Sequence, residues 1–590
     1  MKRTFNYIGL LGLFFTVGTS ALNAQIKEEK LILDRKREPE LRRIEKKKTE
    51  AQTDKDYLKE KESPSYSIVN VPPVSDFRPS PIEGSDISPR FDDYHSNNYF
   101  RIGYGNYSKF LVDGHISHML QPDTQVGVDV HHLSTEGLKK EYRWDSKQQN
   151  TNLALYLTDY GTNGKLNINA EADINAYNYY GIYEPDAALQ PIGDLKQSYN
   201  RFGVNAFYDF YSNNYLNDAT VKTSFLNDHF GAKENAVDLG LNLGKHGLNI
   251  ASGDSGIKLN ADLGLRLQNV DTKFDILDKN QSKAFGISAT PTIAFYKGEH
   301  SLRLGIQYDF VNLDNSSVLA NGDKPDHNKF SPIAELQLAA SENLSFYGGA
   351  AGGFEFNSYA GFLKQNPYLL SDQMIRPTET KYRFFVGIKG DVERVFKYDV
   401  SAGFAKKNDM PFFLSSDHYN GDATTAHNAY DYLNTFQIVY DNGDVNDVKA
   451  SLQYFPLENL ALNGGLHYRS FKLEHLHAAY YKPVIEGNIG ANFSLFNRKL
   501  ELGLDAIFVG SRKANAFTVD RLTETLYHVS DIAETTVPGY TDLNLSASFK
   551  VHKNFSIFAL GNNLLGKSYE HYLGYKVLGA QVLGGVRLEF

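Results

Sequence analysis

The sequence predicts an all-β protein: a transmembrane antiparallel β-barrel of about 22 strands, preceded by a signal peptide and a charged, Pro-rich N-terminal arm. Three observations carry this. The chain opens with an export leader and has no later apolar run long enough for a membrane helix. From about Asn98 onward, apolar and polar residues alternate with a period of two, with charges in mid-strand on one face only. The composition holds 38 Tyr, 38 Phe and 48 Gly, and mean hydropathy is negative although 41% of residues are hydrophobic. A barrel averages in this way, because each lipid-facing residue is followed by a lumenal polar residue or glycine.

The leader begins "MKRTFNYIGLLGLFFTVGTSALNAQ". Lys2 and Arg3 precede an apolar stretch from Tyr7 to Val17, and small residues follow, ending at Ala21 and Ala24. That order predicts cleavage after Ala24, with Ala21 as the second option. The chain has no cysteine, so disulfide staples, cysteine metal sites and a lipid-modified cysteine are excluded. A formal charge of -9 is small for 590 residues and argues against a nucleic-acid partner.

Residues 25–62 form a mixed-charge run without sustained heptads, expected to be a periplasmic arm and a possible docking segment, through residues 26–62, for an envelope protein. Residues 63–95 are Pro- and Ser-rich and read as an extended linker. The barrel is expected over residues 96–590. Its strands are clear in "GIKLNADLGLRLQ" from Gly256, "KLELGLDAIF" from Lys499 and "YTDLNLSASFK" from Tyr540, each with leucines or other apolar residues on one face. Charges on the other face suit a wet lumen and not a dry sandwich core.

Gly/Asn/Asp clusters at "DYGTNGK", "LGKHG", "YDNGD" and "LFNRK" predict hairpin turns. Longer polar stretches at Gly137 to Asn150, Glu184 to Lys196 and Phe413 to Tyr430 predict outside loops. In the last strand Val582, Gly584, Val586, Leu588 and Phe590 share the lipid face, with Leu583 the one large misfit. This strand is expected to pair with the first, removing both sheet edges.

One side-chain constellation stands out, in "KFLVDGHISHMLQPDTQVGVDVHHLSTEG". Alternation puts Asp113, His115, Asp129 and His131 on the lumenal face of two adjacent strands, with His118 and His132 toward the lipid side. A turn at Gln121 to Asp123 would oppose His115 to Asp129 and Asp113 to His131. Two histidines and two carboxylates can hold a divalent metal or orient a histidine for acid–base work; a cross-strand polar ladder bracing the wall weighs more, since such pairs are common structural contacts. "DNGDVND" from Asp441 has calcium-like spacing but reads as a tight turn. No phosphate loop, dinucleotide fingerprint or nucleophile elbow occurs, so no enzyme and no cofactor is expected.

"QNPYLLSDQMIRPTETKYRFFVGIKGDVERVFKYDVSAGFAKKNDMPFF" (Gln365 to Phe413) resembles the mid-barrel stretch of TonB-dependent outer-membrane receptors, where an Asn-Pro-aromatic loop precedes a strand opened by Pro-Thr. "GNNLLGKSYEHYLGY" (Gly561 to Tyr575) resembles the turn before that family's closing strand. The resemblance covers most of Asn98 to Phe590 and implies the outer membrane of a Gram-negative cell, of the kind found in Bacteroidetes, with outer-membrane lipid around the wall. Family members carry a folded plug of well over a hundred residues before the barrel. Here about 70 charged and Pro-rich residues stand in that place, so the expectation is a plugless relative and energised import is not carried over. "SIVNV" (Ser67 to Val71) is only faintly like the segment that engages the energising partner. The expected function is passage of a solute across the outer membrane; alternatives are a structural or assembly role in an envelope complex and, last, an outer-membrane enzyme. A ring of this size needs something to occlude it, and the linker, inward-folding loops and a partner protein are the candidates.

Overall fold

The computed structural model describes residues 98–138, 142, 144–182, 194–211, 215–249, 256–277, 279–315 and 328–590. The cleavage site, the arm, the linker and "SIVNV" lie outside these residues, as do residues 184–193 of one predicted loop. The described residues all belong to one compact unit, Asp76–Phe590.

The wall is a single sheet of 22 antiparallel strands, each paired with its neighbours and the last paired with the first. Alternation explains each strand. In Lys258–Lys273, Leu265 and Leu267 project outward, as does Ile287 on the next strand opposite Leu267, while Arg266 and its partner Ser288 project into the lumen. Hydrogen bonding between every neighbouring pair leaves no open backbone edge, the condition for crossing lipid with strands.

The seam joins Tyr99–Gly105 to Gln581–Glu589, with Arg101 opposite Arg587 and Gly103 opposite Gly585. Two arginines directly opposed repel. Each is neutralised by its own carboxylate, Arg101 by Asp113 at 2.7 Å and Arg587 by Glu589 at 3.2 Å. A side chain at Gly585 would put its Cβ 2.2 Å from the Ile102 carbonyl, so only glycine allows this approach. Leu583 faces the lumen and is buried with Leu111, Phe558 and Leu560, with Leu133 packed against them. The misfit in the alternation is the centre of a small apolar cluster inside the wall.

Two predicted turns are corrected. "LGKHG" lies inside the strand Lys233–Asn249, where the chain bulges between Lys245 and Leu248 and Gly247 takes a positive φ of 71°. "YDNGD" and the calcium-like "DNGDVND" lie inside Phe436–Leu457, the longest strand. Asn-Gly turns only where the chain can fold back on itself, and here Gly443 is held between Lys407 on one neighbour and Leu473 on the other. Asp441 accepts hydrogen bonds from the backbone amides of His475 (3.0 Å) and Leu476 (2.7 Å), which fastens the following loop. "DYGTNGK" and "LFNRK" do connect consecutive strands, and Pro377 and Thr378 open the fourteenth strand, Thr378–Val392.

Connections at one end are short, two residues at 122–123, 298–299, 342–343, 458–459 and 553–554. At the other end they are long: 356–377, with the helix Tyr359–Gln365; 416–435; 510–539, with the hairpin Arg512–Arg521 and Tyr527–Val537; and 563–580. This asymmetry positions the candidate site.

Candidate functional site

The largest buried cluster in the described residues lies among the long loops and the strand ends beneath them. Tyrosine dominates it: Tyr177, Tyr179, Tyr180, Tyr359, Tyr368, Tyr481 and Tyr575 are all buried. A phenol suits this position because its ring supplies apolar area while its hydroxyl can bond the irregular backbone of a neighbouring loop.

The bonds run across the mouth. Tyr179 follows the fifth strand, Gly164–Asn178, and donates to the carbonyl of Leu369 at 2.7 Å, on the loop after the thirteenth strand, Leu344–Glu355. Asn434, on the loop after the fifteenth strand Phe396–Ser415, donates its side-chain amide to the carbonyl of Tyr179 at 2.6 Å. Positions five and fifteen of 22 stand nearly opposite on the ring. Tyr180 donates to Lys576 O at 3.0 Å, Tyr142 to Gly574 O at 2.7 Å, Tyr572 to Gln365 O at 2.7 Å, and Tyr575 to Asn434 O. The Tyr368 and Tyr575 rings stack with centroids 3.5 Å apart. Gly181 lies against this stack, and a Cβ there would sit 2.2 Å from the Tyr575 ring. Loops from across the ring are thereby joined into a cap over the mouth.

Two buried carboxylates tie the cap to the wall. Glu234 accepts from the amide of Ala360 at 3.1 Å and from Thr272 Oγ1 at 2.8 Å, holding the start of the helix Tyr359–Gln365, which Ser358 caps through Gly361 N. Asp228 accepts from Ala232 N (2.8 Å), Tyr359 OH (3.2 Å) and Ser371 Oγ. Burial pushes the phenols of Tyr179, Tyr180, Tyr359, Tyr368 and Tyr575 well above the usual tyrosine range, so the hydroxyls remain donors. In the loop 563–580, burial and the nearby Arg512 guanidinium lower His571 to about 3. Its Nε2 is enclosed and makes no hydrogen bond.

The first hairpin adopts the expected register, with Asp113 opposite His131 and His115 opposite Asp129. His115 Nδ1 shares a hydrogen bond of 2.6 Å with Asp129 Oδ1, and its ring lies between those of Tyr99 and Tyr156. Asp113 is engaged by Arg101 and by Tyr99 OH at 3.3 Å, and His131 Nδ1 stands 3.7 Å from it. The four side chains form two separate pairs. Among the described residues no three histidine or carboxylate side chains are grouped as a metal cage. His132 shares a hydrogen bond of 2.8 Å with Thr151 Oγ1.

Sequence reasoning named inward-folding loops as one of three candidate closures and did not find the tyrosines that join them. The signal was the placing of tyrosine in loops that otherwise read as polar: "AYNYYGIY" from Ala176, "AAYYKP" from Ala478 and "YEHYLGYK" from Tyr569.

No family model and no curated protein matches this sequence. Solved structures do match its fold. The siderophore receptor PirA from Acinetobacter baumannii superposes with a TM-score of 0.59 at 10% identity, over 84% of this chain and 80% of that one. The ferric-catecholate import receptor Fiu from E. coli gives 0.57 at 11%, over 84% and 82%. The pyoverdine outer membrane receptor FpvA from Pseudomonas aeruginosa gives 0.58 at 11%, over 84% and 78%. This is the siderophore-receptor barrel fold. In this receptor-type barrel the cap spans the same end as the long connections, and the lumenal pairs of the first hairpin lie on the wall below it.

Proposed function

We propose that the chain is a plugless relative of TonB-dependent outer-membrane receptors that passes a solute across the outer membrane, with the tyrosine cap as its gate. The long loops then face the outside and the short turns the periplasm, the usual arrangement of such barrels. The observation that carries the reading is the tie between opposite sides of the mouth, Asn434 to Tyr179 and Tyr179 to Leu369. A ring of 22 strands without an inserted domain needs a closure, and the loops supply one. The receptor-type fold favours passage over catalysis, and the reading assigns the chain no catalytic step. The pairs His115–Asp129 and Asp113–His131 then act as wall braces.

The test is planar-bilayer conductance of detergent-purified protein. Three forms are compared: the full chain, a form lacking residues 25–90, and the full chain with Asn434→Ala and Tyr575→Phe. Conductance that appears or rises with the cap substitutions supports a loop gate. Conductance that rises only with the deletion assigns closure to the arm and linker. Silence in all three removes the passage reading and favours an envelope scaffold, tested by partners that co-purify through residues 26–62.

A further inference from the structure

The hairpin Arg512–Arg521 with Tyr527–Val537 is anchored at both ends and open between them. At its base Arg512 donates to the carbonyls of His571 (2.9 Å) and Glu570 (2.7 Å). The Lys513 carbonyl accepts from Tyr481 N at 2.9 Å and the Asn515 carbonyl from Ser415 Oγ at 3.0 Å. At its tip Tyr527 N donates to Gly421 O and Ala423 N to Thr525 O, both at 2.9 Å. The segment 421–423 thus already lies antiparallel along the start of the second strand.

The anchoring fixes which way the backbone points. Because Lys513 and Asn515 spend their carbonyls on other segments, their backbone groups turn away from the partner strand, and so do those of Thr536 and Glu534 opposite them. Ile532, opposite Phe517, has the same phase. Its N–H is covered by Asp531 Oδ1 at 2.9 Å. The Ile532 carbonyl and both backbone groups of Glu534 and Thr536 have no partner among the described residues. Every residue from Ser530 to Glu534 is exposed, Ile532 by 57%. A strand edge held in place with free donors and acceptors is a template for another strand.

The charge around this edge selects what can add to it. Residues 513–536 carry Asp520, Glu524, Asp531 and Glu534 against Lys513 and Arg521, with Glu534 and Lys513 paired at 2.8 Å. The adjoining residues 416–428 add Asp417 and Asp422 without a lysine or arginine. A second copy of the hairpin would bring Asp531 and Glu534 against their own kind, which disfavours self-pairing. We infer that this edge takes an extended, lysine- or arginine-bearing segment of another protein by strand addition. Main-chain bonds to Ile532, Glu534 and Thr536 supply the affinity, and the acidic groups select the partner. The hairpin is formed before the partner arrives, which lowers the ordering cost of binding. Nothing in this role requires passage through the lumen.

The experiment is a fluorescence-anisotropy titration of the full chain in nanodiscs with a labelled peptide of alternating lysine and valine. The same peptide methylated on every backbone nitrogen keeps the charge and cannot pair as a strand. Glu534→Pro removes an outward N–H without touching the hairpin's own ladder, and Glu534→Gln controls for the lost charge. The expected result is saturable binding, weakened by about tenfold or more on methylation of the peptide and in Glu534→Pro relative to Glu534→Gln. Barrel folding is checked by heat-modifiable gel migration, and the methylated peptide leaves the protein itself unaltered. Equal binding of the methylated peptide, or of Glu534→Pro and Glu534→Gln, reduces the effect to general charge attraction and overturns the inference. So does a failure of the lysine–valine peptide to bind. A glutamate–valine peptide that binds as tightly overturns the basic partner, and a dimer of the chain that Glu534→Pro dissolves gives the edge to a second copy instead.

Discussion

Asn434 donates its side-chain amide to the backbone carbonyl of Tyr179 at 2.6 Å, although the strands that lead to them are the fifteenth and fifth of a 22-strand ring. The same amide also reaches Ala429 O at 2.9 Å, and Asn434 is 1% exposed. Removing it leaves two buried carbonyls without their donor, at a cost of about 1–3 kcal/mol each. Asn434→Ala is therefore expected to raise the open fraction of the cap by one to two orders of magnitude or more, read as open probability in single-channel recordings.

Gly181 offers a steric test of the same closure. Its position leaves no room for a side chain against the Tyr575 ring. Gly181→Val should wedge the Tyr368–Tyr575 stack apart and open the cap while leaving the wall intact. Increased protease cutting within loops 356–377 and 563–580, with unchanged gel migration of the barrel, is the expected outcome.

Buried tyrosines and His571 give closure pH dependences of opposite sign. Buried tyrosines have raised pKa values, so below about 10 both closed and open forms are protonated and the full stabilisation is present. As pH rises past that, opened phenols ionise first and closure weakens. His571 is lowered to about 3, so its contribution is present above the free histidine value of about 6.5. It is lost as pH falls from there toward 3, because only the opened form takes up the proton. The tyrosines should raise conductance toward the alkaline edge and His571 should raise it toward the acid edge. His571→Phe, which keeps the ring and removes the titration, should flatten the acid edge alone.

The seam provides a prediction about the wall. Gly585→Leu drives a side chain into the Ile102 carbonyl and should prevent first-to-last strand pairing. The expected result is loss of heat-modifiable migration and accumulation of unclosed protein.

In the first hairpin, the wall-brace reading expects purified protein to carry no stoichiometric metal. His115→Ala should cost about 1 kcal/mol or less through the lost bond to the half-exposed Asp129. Stoichiometric metal that disappears in His115→Ala with His131→Ala would overturn that reading.

Much of the wall was legible in the sequence because period-two alternation is a local consequence of facing lipid on one side and water on the other. The strand number, the first-to-last pairing and the register of Asp113 with His131 all follow from it. Asn442 and Gly443 misled because turn propensity is local, while the two flanking strands that hold them extended are far away in sequence. Inward-folding loops were one candidate closure, but the residues that join them were missed for a related reason. The cap's contacts join residues such as Tyr142 and Gly574, whose proximity exists only once the ring has formed. The tyrosines were visible in the composition, but no periodicity marks a loop that packs on another loop.

That dependence has a consequence for assembly. Tyr572, Gly574, Tyr575 and Lys576 lie in the segment just before the final strand, Gln581–Glu589, and their hydrogen-bond partners come from the loops after the third, fifth, thirteenth and fifteenth strands. The hairpin that carries the seam strand thus carries the keystone of the cap as well. Contacts of such long sequence separation form late. A partly inserted barrel would be an uncapped sheet, and the step that completes the ring is also the step that shuts it, so the membrane is spared an intermediate that is round and open.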